Sequence, residues 1–274
     1  MNPTRIGRLF ERLKTEKRAA LVAYITAGDP APEKTPELVA ALERGGADLI
    51  ELGVPFSDPV ADGPVIQRAS ERALKAGTRL ATVLEMAATI RKRSEIPLLL
   101  FTYLNPVLRY GLEALARAAV ASGIDGCLLI DLSVEEAEPY IRVMREAGLD
   151  TVFLAAPTSS RRRLELVAKY SSGFVYLVSR TGVTGEQVEI SGSVGPLVSA
   201  MRAVTALPLA VGFGISNAGQ VRAVAALADG VVVGSAFERV IEENIAETND
   251  ARDDLAARLE ALARELSSGL LSKS

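Results

Sequence analysis

Residues 49–64 read Leu-Ile-Glu-Leu-Gly-Val-Pro-Phe-Ser-Asp-Pro-Val-Ala-Asp-Gly-Pro, an apolar run followed at once by a loop rich in proline and glycine. The run is short and apolar, which predicts a buried β-strand over Leu49–Val54. Side chains alternate along a strand, so Leu49, Glu51 and Gly53 would share one face. Glu51 would then point into whatever the sheet encloses.

Short apolar runs of this kind alternate with longer amphipathic stretches along the whole chain. Eight runs are predicted to be strands: Leu21–Thr26, Leu49–Val54, Pro97–Tyr103, Gly126–Ile130, Thr151–Ala155, Phe174–Ser179, Leu209–Phe213 and Gly230–Gly234. Helical patterns lie between them: Glu37–Arg44, Leu80–Arg91, Leu112–Ala121, Glu135–Ala147, Arg161–Lys169, Pro196–Val204 and Asn217–Leu227. Eight such units in about 250 residues favour a closed parallel (β/α)8 barrel over an open doubly wound sheet. The first turn, Ala27-Gly28-Asp29-Pro30, also lacks the glycine fingerprint of the open class.

Two further helical patterns lie outside the eight units. Thr4–Glu16 precedes the first strand, and Asp253–Glu265 closes the chain, so both are expected to cap or flank the barrel. No linker-like or low-complexity segment interrupts the alternation. The sequence therefore predicts the α/β class, a (β/α)8 TIM barrel with an extra N-terminal helix and a C-terminal helix, forming one domain over residues 1–274.

The composition excludes several classes of protein. A chain of 274 residues with 49% apolar content, a net charge of −3 and a single cysteine indicates a core-forming protein from a reducing compartment. No run approaches the ~20 apolar residues of a membrane span, and the first residues are too charged for a signal peptide. The arginines are scattered apart from one cluster, Arg161-Arg162-Arg163, which opens a predicted helix and is interpreted as a solvated helix face. We therefore expect a cytoplasmic protein with neither a membrane nor a nucleic acid as its partner.

The residue types that the chain lacks exclude several catalytic mechanisms. The chain has no histidine, and its one cysteine, Cys127, lies in an apolar run, so imidazole catalysis, thiolate catalysis and zinc sites lack their usual carriers. An all-oxygen Mg²⁺ or Mn²⁺ site would be the remaining metal possibility, and we predict no metal. None of the seven lysines ends a predicted strand, so a Schiff-base mechanism has no candidate. Carboxylate acid/base chemistry is what remains.

Glu51 and Asp62 are the candidate catalytic residues. Burial disfavours a carboxylate and can raise its pKa by up to ~3–5 units, which would let Glu51 exchange protons near neutral pH. The alternative is a structural glutamate paired with an arginine. The adjoining acidic loop, with Asp58 and Asp62, favours catalysis.

Glycine-rich turns after the seventh and eighth strands predict a phosphate site. The stretches are Val-Gly-Phe-Gly-Ile-Ser (211–216) and Val-Val-Gly-Ser-Ala (232–236), each followed by a helical pattern. The backbone N–H groups of Gly214, Gly234 and Ser235 could approach an anion there, at the usual phosphate position of a barrel. The alternative is a pair of tight turns without a ligand.

A long polar loop is predicted after the sixth strand, over residues 180–193. Loops of this length in a compact fold are usually functional. Glycines at 182, 185 and 192 would let this loop swing over the site as a lid. The alternative is a disordered loop without a function.

Seven motifs resemble the tryptophan synthase alpha chain family. They are Tyr24-Ile-Thr-Ala-Gly-Asp-Pro30, Glu51-Leu-Gly-Val-Pro-Phe-Ser-Asp-Pro59, Ala61-Asp-Gly-Pro64, Thr102-Tyr-Leu-Asn-Pro106, Ala156-Pro-Thr158, Ser179-Arg-Thr-Gly-Val-Thr-Gly185 and Gly212-Phe-Gly-Ile-Ser216. They stand in the order and at the spacing of the family and cover nearly the whole chain. The resemblance implies a (β/α)8 barrel, which agrees with the strand count.

The resemblance also implies a lyase of tryptophan biosynthesis that cleaves indole-3-glycerol phosphate to indole and glyceraldehyde 3-phosphate. By similarity, Glu51 would move protons at indole C3 and at the side-chain hydroxyl. Asp62 would accept a hydrogen bond from the indole N–H. The backbone positions that match the phosphate site of the family are Gly185, Gly214, Gly234 and Ser235.

The remaining substrate contacts implied by the resemblance come from aromatic residues and the lid. Tyr24 and Phe213 would line the indole pocket, and Tyr176 and Thr184 would lie near the substrate. Thr184 is expected to hydrogen-bond Asp62 when the lid closes. For Tyr176 and Phe213 the alternative is an ordinary core position.

The family implies a partner as well. Indole would pass through a tunnel to a tryptophan synthase beta chain, in a hetero-oligomer of two alpha and two beta chains, and Asp58 and Asn105 would lie where the chains meet. No cofactor is expected in this chain, and pyridoxal phosphate is expected in the beta chain. The alternatives are a stand-alone indole-3-glycerol-phosphate lyase, a catalytically silent ligand-sensing barrel and an unrelated phosphate-binding barrel isomerase.

Overall fold

A single parallel sheet forms the centre of the molecule. The computed structural model describes residues 3–178, 190–212, 214–245 and 254–270, with the backbone alone for 190–193. The strands of these residues are β1 (Ala20–Thr26), β2 (Leu49–Gly53), β3 (Leu98–Thr102), β4 (Gly126–Leu129), β5 (Asp150–Val152), β6 (Leu154–Ala155), β7 (Val175–Val178), β8 (Leu209–Gly212) and β9 (Gly230–Val233). Their order in the sheet is β5-β4-β3-β2-β1-β9-β8-β7-β6.

The fifth predicted strand is two short segments in the structure. β5 pairs with β4, and β6 pairs with β7, with only Phe153 between the two segments. The two outermost strands of the sheet are therefore halves of one strand, and the sheet closes on itself through them. The predicted count of eight strands becomes nine segments because this strand turns from one neighbour to the other as the barrel closes. The predicted (β/α)8 barrel is confirmed.

Helices surround the barrel. They are α1 (Arg5–Thr15), α2 (Thr35–Arg44), α3 (Pro64–Lys75), α4 (Leu80–Arg91), α5 (Leu104–Tyr110), α6 (Leu112–Ser122), α7 (Glu138–Glu146), α8 (Arg161–Tyr170), α9 (Ile190–Arg202), α10 (Ala218–Ala225), α11 (Ser235–Glu243) and α12 (Leu255–Ser267). Short 3₁₀ turns are formed by Pro32–Lys34, Val134–Glu136 and Ser268–Leu270. No helix in these ranges is both long and apolar enough to cross a membrane.

The structure corrects some of the predicted helices. The sequence patterns missed α3 and α5, and the predicted helix over Glu135–Ala147 is a 3₁₀ turn followed by α7. α3 escaped because the residues it buries, Ala69, Ser70 and Ala73, are small and give a weak apolar period. α9 begins at Ile190 rather than Pro196, so the predicted loop over 180–193 ends earlier than expected.

The extra N-terminal helix closes one end of the barrel. Its residues Ile6, Leu9, Phe10 and Leu13 are spaced to share one face, and all four are buried with inward-facing side chains of the strands. The ring of Phe10 lies 5.6 Å from that of Phe174. The expected cap is therefore confirmed, at the end of the barrel where the strands begin.

The other face of each strand packs against the helices. On β2, Ile50 and Leu52 belong to the outer core while Leu49 belongs to the barrel interior. α12 lies against α2 so closely that a Cβ added at Gly45 would be 2.5 Å from the Cβ of Ala263. The C-terminal helix therefore flanks the barrel, as expected.

Aspartates tie neighbouring strands together at the N-terminal end of the barrel. Each one directly precedes its strand and accepts a hydrogen bond from a backbone N–H at the start of the preceding strand. The bonds are Leu21 N to Asp48 at 2.9 Å, Leu98 N to Asp125 at 2.9 Å and Leu209 N to Asp229 at 2.9 Å. These carboxylates also have arginine partners, namely Arg18 for Asp48, Arg5 and Arg91 for Asp125, and Arg202 for Asp229.

Candidate active site

Glu51 lies in the wall of the barrel, near its C-terminal end. It is paired in register with Tyr24 of β1 and Leu99 of β3, and its residue is only 1% exposed. Its Oε1 atom is buried without a hydrogen-bond partner in the described part of the chain. Burial raises the pKa of Glu51 to about 8. No arginine of the described ranges pairs with it, so the alternative of a structural ion pair has no support.

Asp62 is held at the end of the loop that follows β2. Its backbone carbonyl accepts a hydrogen bond from Gln67 Nε2 at 2.8 Å, in the first turn of α3. Its Oδ2 atom accepts a hydrogen bond from the Tyr103 hydroxyl at 2.9 Å. Burial raises the pKa of Asp62 to about 6, against the opposing effect of the Tyr103 hydrogen bond. Two carboxyl groups with raised pKa values thus belong to one strand and its loop.

Tyr103 organises the Asp62 loop, a role that the sequence patterns did not indicate. Its hydroxyl also accepts a hydrogen bond from the N–H of Ala61 at 3.1 Å. Its ring lies 5.1 Å from that of Phe56, which is in the same loop. The available signal was its position directly after β3, the strand next to β2. Tyr103 therefore fixes both the backbone and the carboxylate orientation at Asp62.

Tyr24 and Tyr176 lie inside the barrel near both carboxyl groups. Both side chains are buried, and burial raises the pKa of each phenol, with the charges of Glu51 and Asp62 adding to the effect. Each hydroxyl lies over a glycine at a strand end. A Cβ at Gly53 would be 2.2 Å from the Tyr24 oxygen, and one at Gly212 would be 2.3 Å from the Tyr176 oxygen. These glycines leave the space that the two phenols occupy.

The turns after β8 and β9, predicted to bind phosphate, are rich in glycine and lead toward helix α10 and into helix α11. Gly214 has φ +77°, and a Cβ placed there would meet no atom of the described residues within 4 Å. Gly234 is the N-cap of α11, where no side chain caps the helix. Ser235 is the first residue of that helix. The positive end of the α11 dipole and its N–H groups therefore remain available to an anion.

Three of the predicted site residues cannot be placed. Thr184, Gly185 and Phe213 lie outside the described residues, as does most of the proposed lid. Within the described ranges, Glu51, Asp62, Tyr24 and Tyr176 come together inside the barrel near its C-terminal end. The same ranges hold no group of three or more acidic or cysteine side chains that could bind a metal ion.

The molecule is a closed barrel of eight strand–helix units, with buried carboxyl groups near the C-terminal ends of its strands. This arrangement is typical of (β/α)8-barrel enzymes. A family model described as tryptophan synthase alpha chain matches residues 10–269. The tryptophan synthase alpha chain of Solibacter usitatus is 66% identical over 266 residues, covering 97% of this chain and 98% of that one. The alpha chain of Geotalea uraniireducens is 49% identical over 267 residues, with the same coverage.

Solved structures agree. A tryptophan synthase structure from Mycobacterium tuberculosis superposes with a TM-score of 0.88 at 37% identity, covering 98% of this chain and 99% of that chain. Tryptophan synthase subunit alpha from Legionella pneumophila gives a TM-score of 0.85 at 38% identity, covering 97% and 98%. This chain belongs to the tryptophan synthase alpha chain family. The predicted family, and with it a lyase that acts on indole-3-glycerol phosphate, is confirmed, and the alternatives are not favoured.

Proposed function

We propose that this chain cleaves indole-3-glycerol phosphate by acid/base catalysis with Glu51 and Asp62 and passes the indole to a tryptophan synthase beta chain. The observation that carries the residue assignment is the pair of buried carboxyl groups near the barrel mouth, with pKa values of about 8 and about 6. Their difference lets one group enter as an acid and the other as an anion near neutral pH.

Glu51 is the proton carrier in this mechanism. With a pKa of about 8 it is protonated at neutral pH and gives its proton to C3 of the indole. The ring becomes an indolenine cation, which accepts the electron pair of the bond between C3 and the side chain as that bond breaks. The Glu51 carboxylate then takes the proton of the neighbouring hydroxyl, whose oxygen becomes the aldehyde oxygen of glyceraldehyde 3-phosphate. Glu51 ends the cycle protonated, as it began.

Asp62 stabilises the cation. As a carboxylate it accepts a hydrogen bond from the indole N–H and offsets the positive charge that develops on the ring. The Tyr103 hydroxyl donates to the Oδ2 atom of Asp62, which leaves Oδ1 for the substrate. Tyr24 and Tyr176 would border the indole ring, together with Phe213.

The phosphate group of the substrate would lie on the backbone of Gly214, Gly234 and Ser235. The absence of crowding at Gly214 by any described residue and the start of α11 at Gly234, which has no side chain to cap it, support this position. Gly185 would add a further N–H from the lid, and Thr184 would hydrogen-bond Asp62 as the lid closes. Closure would then exclude water and orient the carboxylate in one step.

The beta chain would bind beside the Asp62 loop. Asp58 and Asn105 are exposed there, and two apolar side chains, Val60 and Leu108, are 77% and 63% exposed. Val60 belongs to the Asp62 loop and Leu108 to α5, and large exposed apolar side chains at such positions favour a protein interface. We propose an assembly of two alpha and two beta chains in the cytoplasm, with pyridoxal phosphate held by the beta chain and no cofactor in this one.

The test is indole release from indole-3-glycerol phosphate by the purified chain, with and without a tryptophan synthase beta chain. Slow release that the partner accelerates strongly supports the proposal. Fast release that the partner does not change would instead indicate a stand-alone lyase. An absence of release in both conditions would indicate a ligand-sensing barrel and would overturn the catalytic assignment.

A further inference from the structure

A second group of buried carboxyls lies behind the proposed phosphate site, and the cleavage mechanism does not use it. Glu238 is in the first turn of α11, three residues after Ser235, and is fully buried. Its Oε1 atom accepts a hydrogen bond from the backbone N–H of Thr26 at 2.5 Å. This bond fastens α11, the helix at the proposed phosphate site, to the end of β1.

Asp29 lies beside Glu238, in the loop after β1. It is 1% exposed, and Arg72 of α3 binds both of its oxygens, with Nε at 2.8 Å and Nη2 at 2.7 Å. Arg72 also contacts Glu242 at 3.1 Å, and Arg68 binds both oxygens of Glu242 at 2.6 and 2.8 Å. The group therefore joins three elements, namely the end of β1, α3 and α11.

Thr26 joins the segments that carry the two carboxyl groups, since its N–H donates to Glu238 and its carbonyl accepts a hydrogen bond from the N–H of Asp29 at 3.2 Å. The two groups are near enough that the charge of Asp29 raises the pKa of Glu238. The Oε2 atom of Glu238 is buried and receives no N–H or O–H from the described residues. Two carboxylates offer only acceptors, so they can share a hydrogen bond only if one of them carries a proton. The charge balance of the cluster also favours one bound proton. Two guanidinium groups, of Arg68 and Arg72, face three carboxyl groups, so one proton makes the cluster neutral.

The position of Glu238 matters for anion binding. A negative charge in the first turn of a helix compensates the positive end of the helix dipole, the same end that would hold the substrate phosphate. An ionised Glu238 would compete with the phosphate and repel it, whereas a protonated Glu238 would not.

We propose that Asp29 and Glu238 share one proton and that this pair is a positioning element of the phosphate site, which binds anions more weakly once the proton is lost. The inference rests on the proposed phosphate position at α11. It assigns Glu238 no contact with the substrate, because Glu238 acts through the helix that it anchors.

The electrostatic surroundings support a retained proton. Burial is the main cause that raises the pKa of both groups, and their mutual repulsion raises that of Glu238 further, while Arg72 opposes the shift. Among the described residues, two other titratable groups face the pair, namely Tyr24 from β1 and Glu242 from α11. Arg68 and Arg72 of α3 in turn bind Glu242. Since both folded-state pKa values are raised, the proton is held at low pH and lost as the pH rises.

The experiment measures binding of glycerol 3-phosphate by calorimetry from mildly acidic to alkaline pH. Glu238→Gln keeps the acceptor for Thr26 and can donate to Asp29, but it has no proton to lose. Glu243→Gln is the matched control, because Glu243 is an exposed neighbour on the same helix. The ionisation of the ligand is common to all three proteins, so it cancels when they are compared.

We expect the wild-type protein and Glu243→Gln to lose about threefold to tenfold more affinity than Glu238→Gln across this range. An equal pH dependence in all three proteins would overturn the proposal. If Glu238→Gln did not fold, Glu238→Leu would give the same comparison, since it also removes the titrating group.

A second readout separates this inference from the phosphate site itself. If the wild-type protein bound no glycerol 3-phosphate at any pH, the proposed phosphate position would be wrong, and with it the positioning role of the pair. The shared proton would still be judged by a carbon-13 NMR titration of the carboxyl carbons. Two coupled titrations that vanish in Glu238→Gln would support it, and their absence from the wild-type spectrum would refute it.

Discussion

Buried carboxyl groups at the two ends of the barrel have opposite surroundings. At the N-terminal end, Asp48 accepts two hydrogen bonds from Arg18, at 2.7 and 2.8 Å, and one from a backbone N–H. Asp125 is likewise held by two arginines and a backbone N–H. At the other end no cation of the described residues pairs with Glu51, and burial raises its pKa to about 8. The partners, rather than the residue type, decide whether a buried carboxyl is structural or reactive.

The largest effect is expected at Glu51. Glu51→Gln keeps the shape of the side chain but cannot exchange a proton, so cleavage should fall by about 10²–10⁴-fold. Steady-state indole release measures this, with Glu85→Gln as the control because Glu85 is exposed on α4. Near-normal turnover by folded Glu51→Gln would refute the catalytic role and would remove the contrast between the two ends.

The opposite end should affect stability rather than rate. Asp125→Ala leaves two arginines and the Leu98 N–H without their carboxylate, which should lower the free energy of unfolding by about 3–5 kcal/mol. Urea unfolding measures this loss, and Asp58→Ala, at an exposed position, should change it by less than about 0.5 kcal/mol. Indole release per folded molecule should stay unchanged. A loss of cleavage without a loss of stability would contradict the division of roles.

Glu51 should also make stability depend on pH. Its folded-state pKa of about 8 lies above the ordinary value of about 4.3, so between these values the folded protein holds a proton that the unfolded chain has released. Stability should therefore fall as the pH rises through this window. Glu51→Gln has no such titrating group, so its free energy of unfolding should rise relative to that of the wild type by a few kcal/mol as the pH increases. This difference should grow until about pH 8 and then level off.

Urea unfolding at a series of pH values measures that difference. A constant gap between the two proteins would mean that Glu51 titrates normally, as a paired carboxylate would.

The smallest effect is expected at Tyr103. Cleavage should require an ionised Asp62 and a protonated Glu51, so kcat/KM should rise through about pH 6 and fall above about pH 8. Tyr103→Phe removes the hydroxyl that stabilises the Asp62 carboxylate. The acidic limb should therefore move to higher pH, with a loss of about threefold to tenfold on that limb.

Tyr110→Phe is the matched control for this variant, since it removes a phenol at the end of α5 that packs against the outer core. An unmoved acidic limb in Tyr103→Phe would show that the limb does not belong to Asp62.

Local sequence patterns were enough to predict part of this comparison between the two ends of the barrel. Period-two alternation placed Glu51 on the inner face, and the turn glycines marked Gly214 and Gly234. Contacts between distant segments were not predictable, such as the bond from Tyr103 to Asp62 or that from Thr26 to Glu238, which spans 212 positions. Their residues carry no local pattern that differs from ordinary strand ends.

Helix α3 shows a second reason for incomplete prediction. It buries small residues, so its apolar period is faint, yet it carries Arg72 and begins directly after Asp62 and its N-cap Gly63. The lid residues Thr184 and Gly185, together with Phe213, lie outside the described part of the chain, and their roles stay predictions.

The divided strand at Phe153 gives the barrel a seam. β5 has three residues and β6 has two, whereas the first strand has seven. The ring is thus complete in topology, but it is fastened at this point by very few backbone hydrogen bonds. In terms of local unfolding, the short segments β5 and β6 are expected to open more readily than the longer strands. Amide protons of β5 and β6 would exchange with solvent ahead of those in β1 and β2, and opening there would leave the two halves of the chain joined by the pairing of β1 with β9.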